Sequence, residues 1–115
     1  MENPKNIGKL GEKLAEKYLL KNNYKMIEKN FRCKFGEIDI IAYDKKELVF
    51  IEVKTRTSNK YGTGINSIDK NKEKHLYKTA EYYLCNKKIN IGIRIDAIEI
   101  TLNKGLVSIK HYKNI

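Results

Sequence analysis

The chain has 115 residues, with 24 Lys and Arg against 14 Asp and Glu and a net charge of +10. An apolar fraction of 41% suffices for one core, so a single domain spanning 1–115 is expected. No apolar run reaches bilayer-spanning length, and Met1-Glu2-Asn3-Pro4-Lys5-Asn6 lacks an apolar signal core, which argues against a membrane protein and for the cytoplasm.

The basic excess points to a polyanionic partner, most simply nucleic acid, although lysine-rich chains also arise from AT-rich genomes. A membrane surface fits less well without a strongly amphipathic basic helix. Cys33 and Cys85 lie far apart with no Cys-x-x-Cys spacing, and His75 and His111 are isolated. A zinc site is therefore not expected, and both thiols are expected to be free.

Asn3-Pro4 is a helix start, with Asn as cap and Pro in the first turn. Ile7, Leu10, Gly11, Leu14, Ala15 and Tyr18 follow helical spacing, which predicts a helix over about 4–22, ended by Asn22-Asn23. Glu12 lies beside that stripe, in line with Gly8, Ala15 and Leu19. By spacing alone it is a solvated helix residue; turned inward it would be a third carboxylate for the centre described below. Small Gly8 and Gly11 would let the helix approach a sheet closely. Residues 24–32 predict a first strand, and 33–36 a turn. Arg32 and Lys34 stand where a phosphate backbone would pass, or where they keep an edge strand soluble.

Two apolar runs, 37–43 and 47–54, flank Asp44-Lys45-Lys46 and predict a β-hairpin. The period of two puts Ile38, Ile40 and Ala42 with Val49, Ile51 and Val53 on one face. Glu37, Asp39, Ile41 and Tyr43 share the other with Leu48, Phe50, Glu52 and Lys54. Matching the apolar faces with a two-residue turn at Lys45-Lys46 sets Asp39 opposite Glu52, with Lys54 one step along. Cross-strand neighbours lie about 5 Å apart. Two carboxylates that close repel unless a cation sits between them. A hard cation such as Mg²⁺ takes such oxygen ligands together with water and phosphate. A neighbouring lysine would polarise a water or a phosphate oxygen. The set suits metal-assisted phosphodiester hydrolysis; it equally suits a structural ion pair of Lys54 with Glu52.

Residues 55–64 are polar and turn-rich and predict a loop, in which Arg56, Lys60 and Tyr61 would hold a nucleic-acid strand. A second helix is expected from 67 or 69 to 85, capped by Ser67 or Asp69, with Leu76, Tyr77, Ala80, Tyr83 and Leu84 as its apolar stripe. Its first turns carry Lys70, Lys72 and Lys74, which suit a phosphate and oppose the helix dipole. Residues 89–101 alternate strongly, and a phase change near Asp96-Ala97 predicts a bulge or a change of neighbour. Arg94 and Asp96 share a face and suit an ion pair. A last strand is expected over about 106–112. The order is α-β-β-β-α-β-β, an α/β sandwich with a central mixed sheet flanked by helices.

Gly11-Glu12, Gly36-Glu37-Ile38-Asp39-Ile40-Ile41-Ala42 and Val49-Phe50-Ile51-Glu52-Val53-Lys54-Thr55-Arg56 resemble the YraN-like family of bacterial proteins. The resemblance covers about residues 7–100, with Asn30-Phe31-Arg32, Gly62 and Arg94-Ile95-Asp96 included. That family is identified with the restriction-endonuclease-like, PD-(D/E)XK superfamily and is similar to archaeal Holliday-junction resolvases. The resemblance implies Asp39 and Glu52 as ligands of Mg²⁺ or Mn²⁺, with the Val53 carbonyl as a further one. It implies Lys54 as the residue that orients water, and Glu12 as completing the acidic cluster. The sequence departs from the pattern at Glu73, where relatives carry Gln on the second helix.

The expected function is a Mg²⁺-dependent endonuclease acting on DNA, in repair or recombination, with Arg32, Lys34, Arg56, Lys60, Lys70, Lys72 and Lys74 as nucleic-acid contacts. A domain of this size that cut both strands would be expected to form a homodimer. The alternatives are a non-catalytic nucleic-acid-binding module that retains the nuclease fold, and a protein-interaction subunit of a repair complex.

Overall fold

The computed structural model describes residues 4–57 and 70–115. Its elements are α1 (Pro4–Lys21), β1 (Lys25–Cys33), β2 (Gly36–Asp44), β3 (Glu47–Arg56), α2 (Lys70–Lys87), β4 (Ile93–Asn103) and β5 (Leu106–Tyr112). The strands form one mixed sheet in the order β1-β2-β3-β4-β5. Neighbours run antiparallel except β3 and β4, which are parallel from Leu48–Ile93 to Arg56–Thr101. This is the expected α-β-β-β-α-β-β sandwich. The expected caps at Asn3 and at Ser67 or Asp69 lie outside the described residues, as does most of the 55–64 loop; its first residues, Thr55 and Arg56, instead extend β3.

Each face of the sheet is covered by one helix. Ala15 and Leu19 of α1 pack with Ile40, Ala42, Val49, Ile51, Ile98 and Ile100. Leu76, Ala80 and Tyr83 of α2 pack with Ile38, Ile41, Leu48, Phe50 and Ile95. Burial on both faces explains why β2 and β3 read as nearly unbroken apolar runs. Of the two alternatives near Asp96-Ala97, there is no bulge, since the β3–β4 ladder is regular, but there is a change of neighbour: β5 joins β4 only from Ala97–Tyr112 onward. Ile95 and Ile98 lie on opposite faces, and both faces are core. Ile91 precedes β4 and is exposed, and Tyr77 of the expected α2 stripe is exposed too. Buried Thr79 is set back against the helix instead, donating to the His75 carbonyl at 2.7 Å.

The helix ends follow local chemistry. Asn23 takes a left-handed backbone (φ 67) after α1, and the Tyr24 N–H returns to the Leu19 carbonyl at 3.0 Å. Of the two glycines expected to bring α1 close, only Gly11 does so. A Cβ there would collide with the Thr55 side chain of β3, whereas Gly8 faces open space. Gly11→Ala should therefore cost about 1–3 kcal/mol in urea unfolding, because overpacking outweighs the better helix propensity of alanine. A stability equal to or above wild type would show that α1 does not pack at this depth.

Opposite α2, β4 carries a polar cluster. Asp96 is fully buried and receives Arg94 Nε and Nη2, both at 2.9 Å. His111 Nε2 lies 2.7 Å from its Oδ2, and the Asn114 N–H donates to Oδ1 at 2.9 Å. Arg94 also reaches Asp44 at 2.9 Å and the Tyr24 hydroxyl at 2.8 Å. The expected Arg94–Asp96 pair is thus the centre of a network joining Tyr24, the residue before β1, with β2, β3, β4 and β5.

Candidate active site

The hairpin register is the expected one: Asp44 pairs with Glu47, and the β2–β3 ladder runs to Ile40–Ile51. Asp39 and Glu52 are the next residues on each strand. Here the two strands separate. The Val53 N–H donates to Asp39 Oδ2 at 2.8 Å, so a side chain fills the place of a ladder carbonyl. The alternation of β2 also breaks. Ile38 packs on the α2 face and Ile40 on the α1 face, which corrects the expectation that they share one. Across from this point, between the pairs Lys29–Ile40 and Phe31–Ile38, Asn30 has φ 56. Asn tolerates this left-handed conformation better than most residues, and it reverses the local pleat.

The opened end of the hairpin collects carboxylates. Asp39 is half-buried and Glu52 is 8% exposed. Burial pushes the Asp39 carboxyl up to about 7, helped by the charges of Glu52, Glu12 and Glu37 and opposed by the Val53 N–H. Glu12 comes in from α1, next to Gly11 in the chain. Its carboxyl is raised by burial, against a hydrogen bond from the Asn30 side chain, and it feels Glu37 and Glu52. Glu12 is half-buried and within electrostatic reach of Glu37 and Glu52.

The cations around it differ from expectation. Lys72 Nζ of α2 lies 2.8 Å from Glu52 Oε1. Burial disfavours its ammonium, but the bond to Glu52 and the charge of Asp39 more than offset this, and it sits beside Lys54. Lys72 is thus placed in the carboxylate centre itself. Glu73, the position of departure, instead lines a separate surface cleft with Lys74, Tyr77 and Lys78. Arg56 lies at the end of β3, with Nε 3.8 Å from the buried Glu99 carboxylate. Glu99 stands beside Lys54 in the parallel ladder, accepts from the Tyr112 hydroxyl at 3.3 Å, and was not singled out from the sequence. Arg32 pairs with Glu37 at 2.9 Å on the surface, and Lys34 covers the Phe35 ring at 5.2 Å. Lys60 lies outside the described residues, and Lys70 opens α2. Asn30 was also overlooked; an Asn inside a strand pattern is the signal that marks it.

Both cysteines are free, as expected. Among the described residues, no three His, Cys, Asp or Glu side chains converge as a ready metal-ligand group. The donor set nevertheless suits a hard cation. Asp39 and Glu52 are oxygen donors on adjacent strands, the Val53 N–H holds Asp39 through its Oδ2 at 2.8 Å, and burial together with the charge of Glu52 raises the Asp39 carboxyl. Lys72 supplies part of the balancing charge.

The fold and this centre define an α/β sandwich protein with a carboxylate–lysine cluster at the open end of its central hairpin. The family model described as "Uncharacterised protein family UPF0102" matches residues 11–100, and the chain belongs to that family. It is 41% identical over 114 residues to UPF0102 protein TTE1452 of Caldanaerobacter subterraneus subsp. tengcongensis, covering 98% of this chain and 93% of the relative. It is 46% identical over 114 residues to UPF0102 protein CLJ_B2665 of Clostridium botulinum, with 96% and 93% covered. It is 45% identical over 100 residues to UPF0102 protein CA_C1763 of Clostridium acetobutylicum, with 86% and 82% covered. Among the described residues, no helix is long and apolar enough to cross a membrane.

Proposed function

We propose that the protein is a restriction-endonuclease-like, divalent-metal-dependent enzyme that hydrolyses DNA phosphodiesters, acting in the cytoplasm in repair or recombination. The observation that carries this is the placement of Asp39 and Glu52 at the open end of the β2–β3 ladder, with Asp39 held by the Val53 N–H at 2.8 Å, Lys72 Nζ 2.8 Å from Glu52, and the Asp39 carboxyl raised by burial and by the charge of Glu52. Such crowding of like charge is costly in a merely structural position and is typical of catalytic centres. Asp39 and Glu52 would hold Mg²⁺ or Mn²⁺, with the Val53 carbonyl beside them and Glu12 behind. The chemistry supplied by a cation held there is stabilisation of charge on the phosphate and a water of lowered pKa.

The remaining work falls to the chain. Lys54 extends from the same strand as Glu52 and orients the attacking water or a phosphate oxygen. Lys72, whose Nζ lies 2.8 Å from Glu52 Oε1, would neutralise part of the carboxylate charge and offer its ammonium to a phosphate oxygen at the same centre. The +10 charge draws the strand in, and Arg32, Lys34, Lys70 and Lys74 contact flanking phosphates. Cutting both strands of a duplex would call for a second copy of the chain.

A second reading is a non-catalytic nucleic-acid-binding module, and the Lys72–Glu52 pair favours it, since it already neutralises one carboxylate. Calorimetric titration with Mn²⁺ and Mg²⁺, with and without branched DNA, separates the two. Wild type should bind the metal, and the double variant Asp39→Asn/Glu52→Gln should not. Absence of metal binding by the wild type, even with DNA present, would leave the binding module as the function.

A further inference from the structure

Next to the carboxylate centre lies an open cleft of about 360 Å³, walled by the β1–β2 turn and the start of α2. Its volume is within the range of about 300–1,000 Å³ usual for small-molecule sites. Phe35, Glu37 and His75 line it, and Glu52 and Lys72 are shared with the centre already described. We propose that this cleft receives one unpaired nucleotide of a DNA substrate, next to the phosphodiester at Asp39 and Glu52. The proposal rests on the nuclease-fold reading above and narrows its substrate to DNA with an unpaired base.

The wall is built rather than incidental. Gly36 has φ 148, and a Cβ there would lie 3.2 Å from Thr79 Oγ1, so the turn sits directly on α2. His75 Nδ1 is 3.0 Å from the Phe35 carbonyl. A carbonyl oxygen only accepts, so Nδ1 carries the proton, and in the neutral ring Nε2 is the acceptor. The Phe35 ring is braced by Tyr82 at 5.9 Å between centroids, and the Lys34 ammonium that lies over it at 5.2 Å is the group a stacked base would displace. The cleft thus offers an aromatic ring held in place, an imidazole with a fixed tautomer, and a carboxylate, Glu37, at its mouth. A ring stacks on any base, and the Nε2 and carboxylate acceptors suit the exocyclic amino groups of bases. A paired base presents neither face to such a cleft. Lys72 and Glu52 in its floor tie the bound nucleotide to the phosphate beside it.

The test is fluorescence anisotropy, without divalent ions, on two blunt two-stranded DNA duplexes of the same paired sequence, one fully paired and one with a single-nucleotide bulge. Wild type should bind the bulged duplex about tenfold more tightly, as one stacked base allows. Phe35→Leu keeps an apolar side chain against Tyr82 and removes the stacking face, and should bring the ratio of the two affinities to about one. His75→Ala should reduce the same ratio. Equal affinity of wild type for both duplexes, or a preference that survives in both variants, overturns the inference. If binding then still weakens steeply with salt, the nucleic-acid function stands without it. If wild type binds neither duplex, that function and this inference fall together.

Discussion

Asp39→Asn is expected to abolish metal-dependent cleavage of DNA and, at the same time, to make the folded chain more stable at pH 8. The first effect follows from losing a charged oxygen donor where the cation would sit. On the proposed function, several kcal/mol of transition-state stabilisation would depend on it, so the rate should fall on the order of a thousandfold. The second follows from the raised carboxyl. Its folded pKa of about 7 lies above the ordinary 3.8. Between those values the folded chain keeps a proton that the unfolded chain has released. Stability is therefore greatest below the unfolded value, falls as pH rises towards 7, and levels off above it. The decline is at most about 4 kcal/mol and is smaller where water reaches the group. Asn has no such titration. Urea unfolding of both proteins at pH 5 and pH 8, with a chelator present, should show the variant gaining on wild type as the pH rises. A constant difference between the two would mean that Asp39 is not buried among like charges. Loss of cleavage in a protein that is more stable would also exclude misfolding as its cause.

Arg94→Met should destabilise the chain by about 3–5 kcal/mol, the loss expected when one partner of a buried charge pair is removed. Asp96 is fully buried, and Arg94 provides two of its hydrogen bonds. Burial alone would raise the Asp96 carboxyl, but His111, Arg94 and the Asn114 N–H hold it below its ordinary value. Its folded pKa is depressed, so its contribution is present above the unfolded value of about 4 and disappears as pH falls through the folded one. The deficit of the variant should accordingly be full at pH 7 and shrink in acid. Urea midpoints at pH 7 and pH 3 measure this, and a loss below about 1 kcal/mol at pH 7 would show that the network carries no net stability. The site at the far end of the hairpin is not part of this network, so metal binding by the folded variant is a useful control.

The parts legible in the sequence were those governed by neighbours along the chain. A two-residue turn and the period of two were enough to pair Asp44 with Glu47 through to Ile40 with Ile51, which leaves Asp39 and Glu52 as the next residue on each strand. Asn22-Asn23 marked the end of α1 because Asn accepts a left-handed backbone. The regular hairpin pattern, however, put Ile38 with Ile40. That failed at the point where the β2–β3 ladder ends, opposite the left-handed Asn30 of β1, where Ile38 and Ile40 enter different clusters. The phase change in 89–101 left a bulge and a change of neighbour open, because a strand buried on both faces has no polar side to keep its period visible; the pairing with β5 that begins at Ala97 is the change of neighbour. Exposed Tyr77 looked like core because helical spacing cannot tell the edge of a stripe from its centre.

The order of elements, the hairpin register and the carboxylate pair were thus determined by the sequence alone, since each depends on contacts between residues close in the chain. Tertiary structure decided what surrounds that pair. Glu12 arrives with α1 because Gly11 lets the helix rest on Thr55. Lys72, rather than Glu73, reaches Glu52 because the rotation of α2 is set by Leu76, Ala80 and Tyr83 in the core. Glu99 comes beside Lys54 only through the parallel β3–β4 pairing. These are distances between segments far apart in the chain, fixed by how two helices pack on opposite faces of one sheet, and no local pattern of residues encodes them.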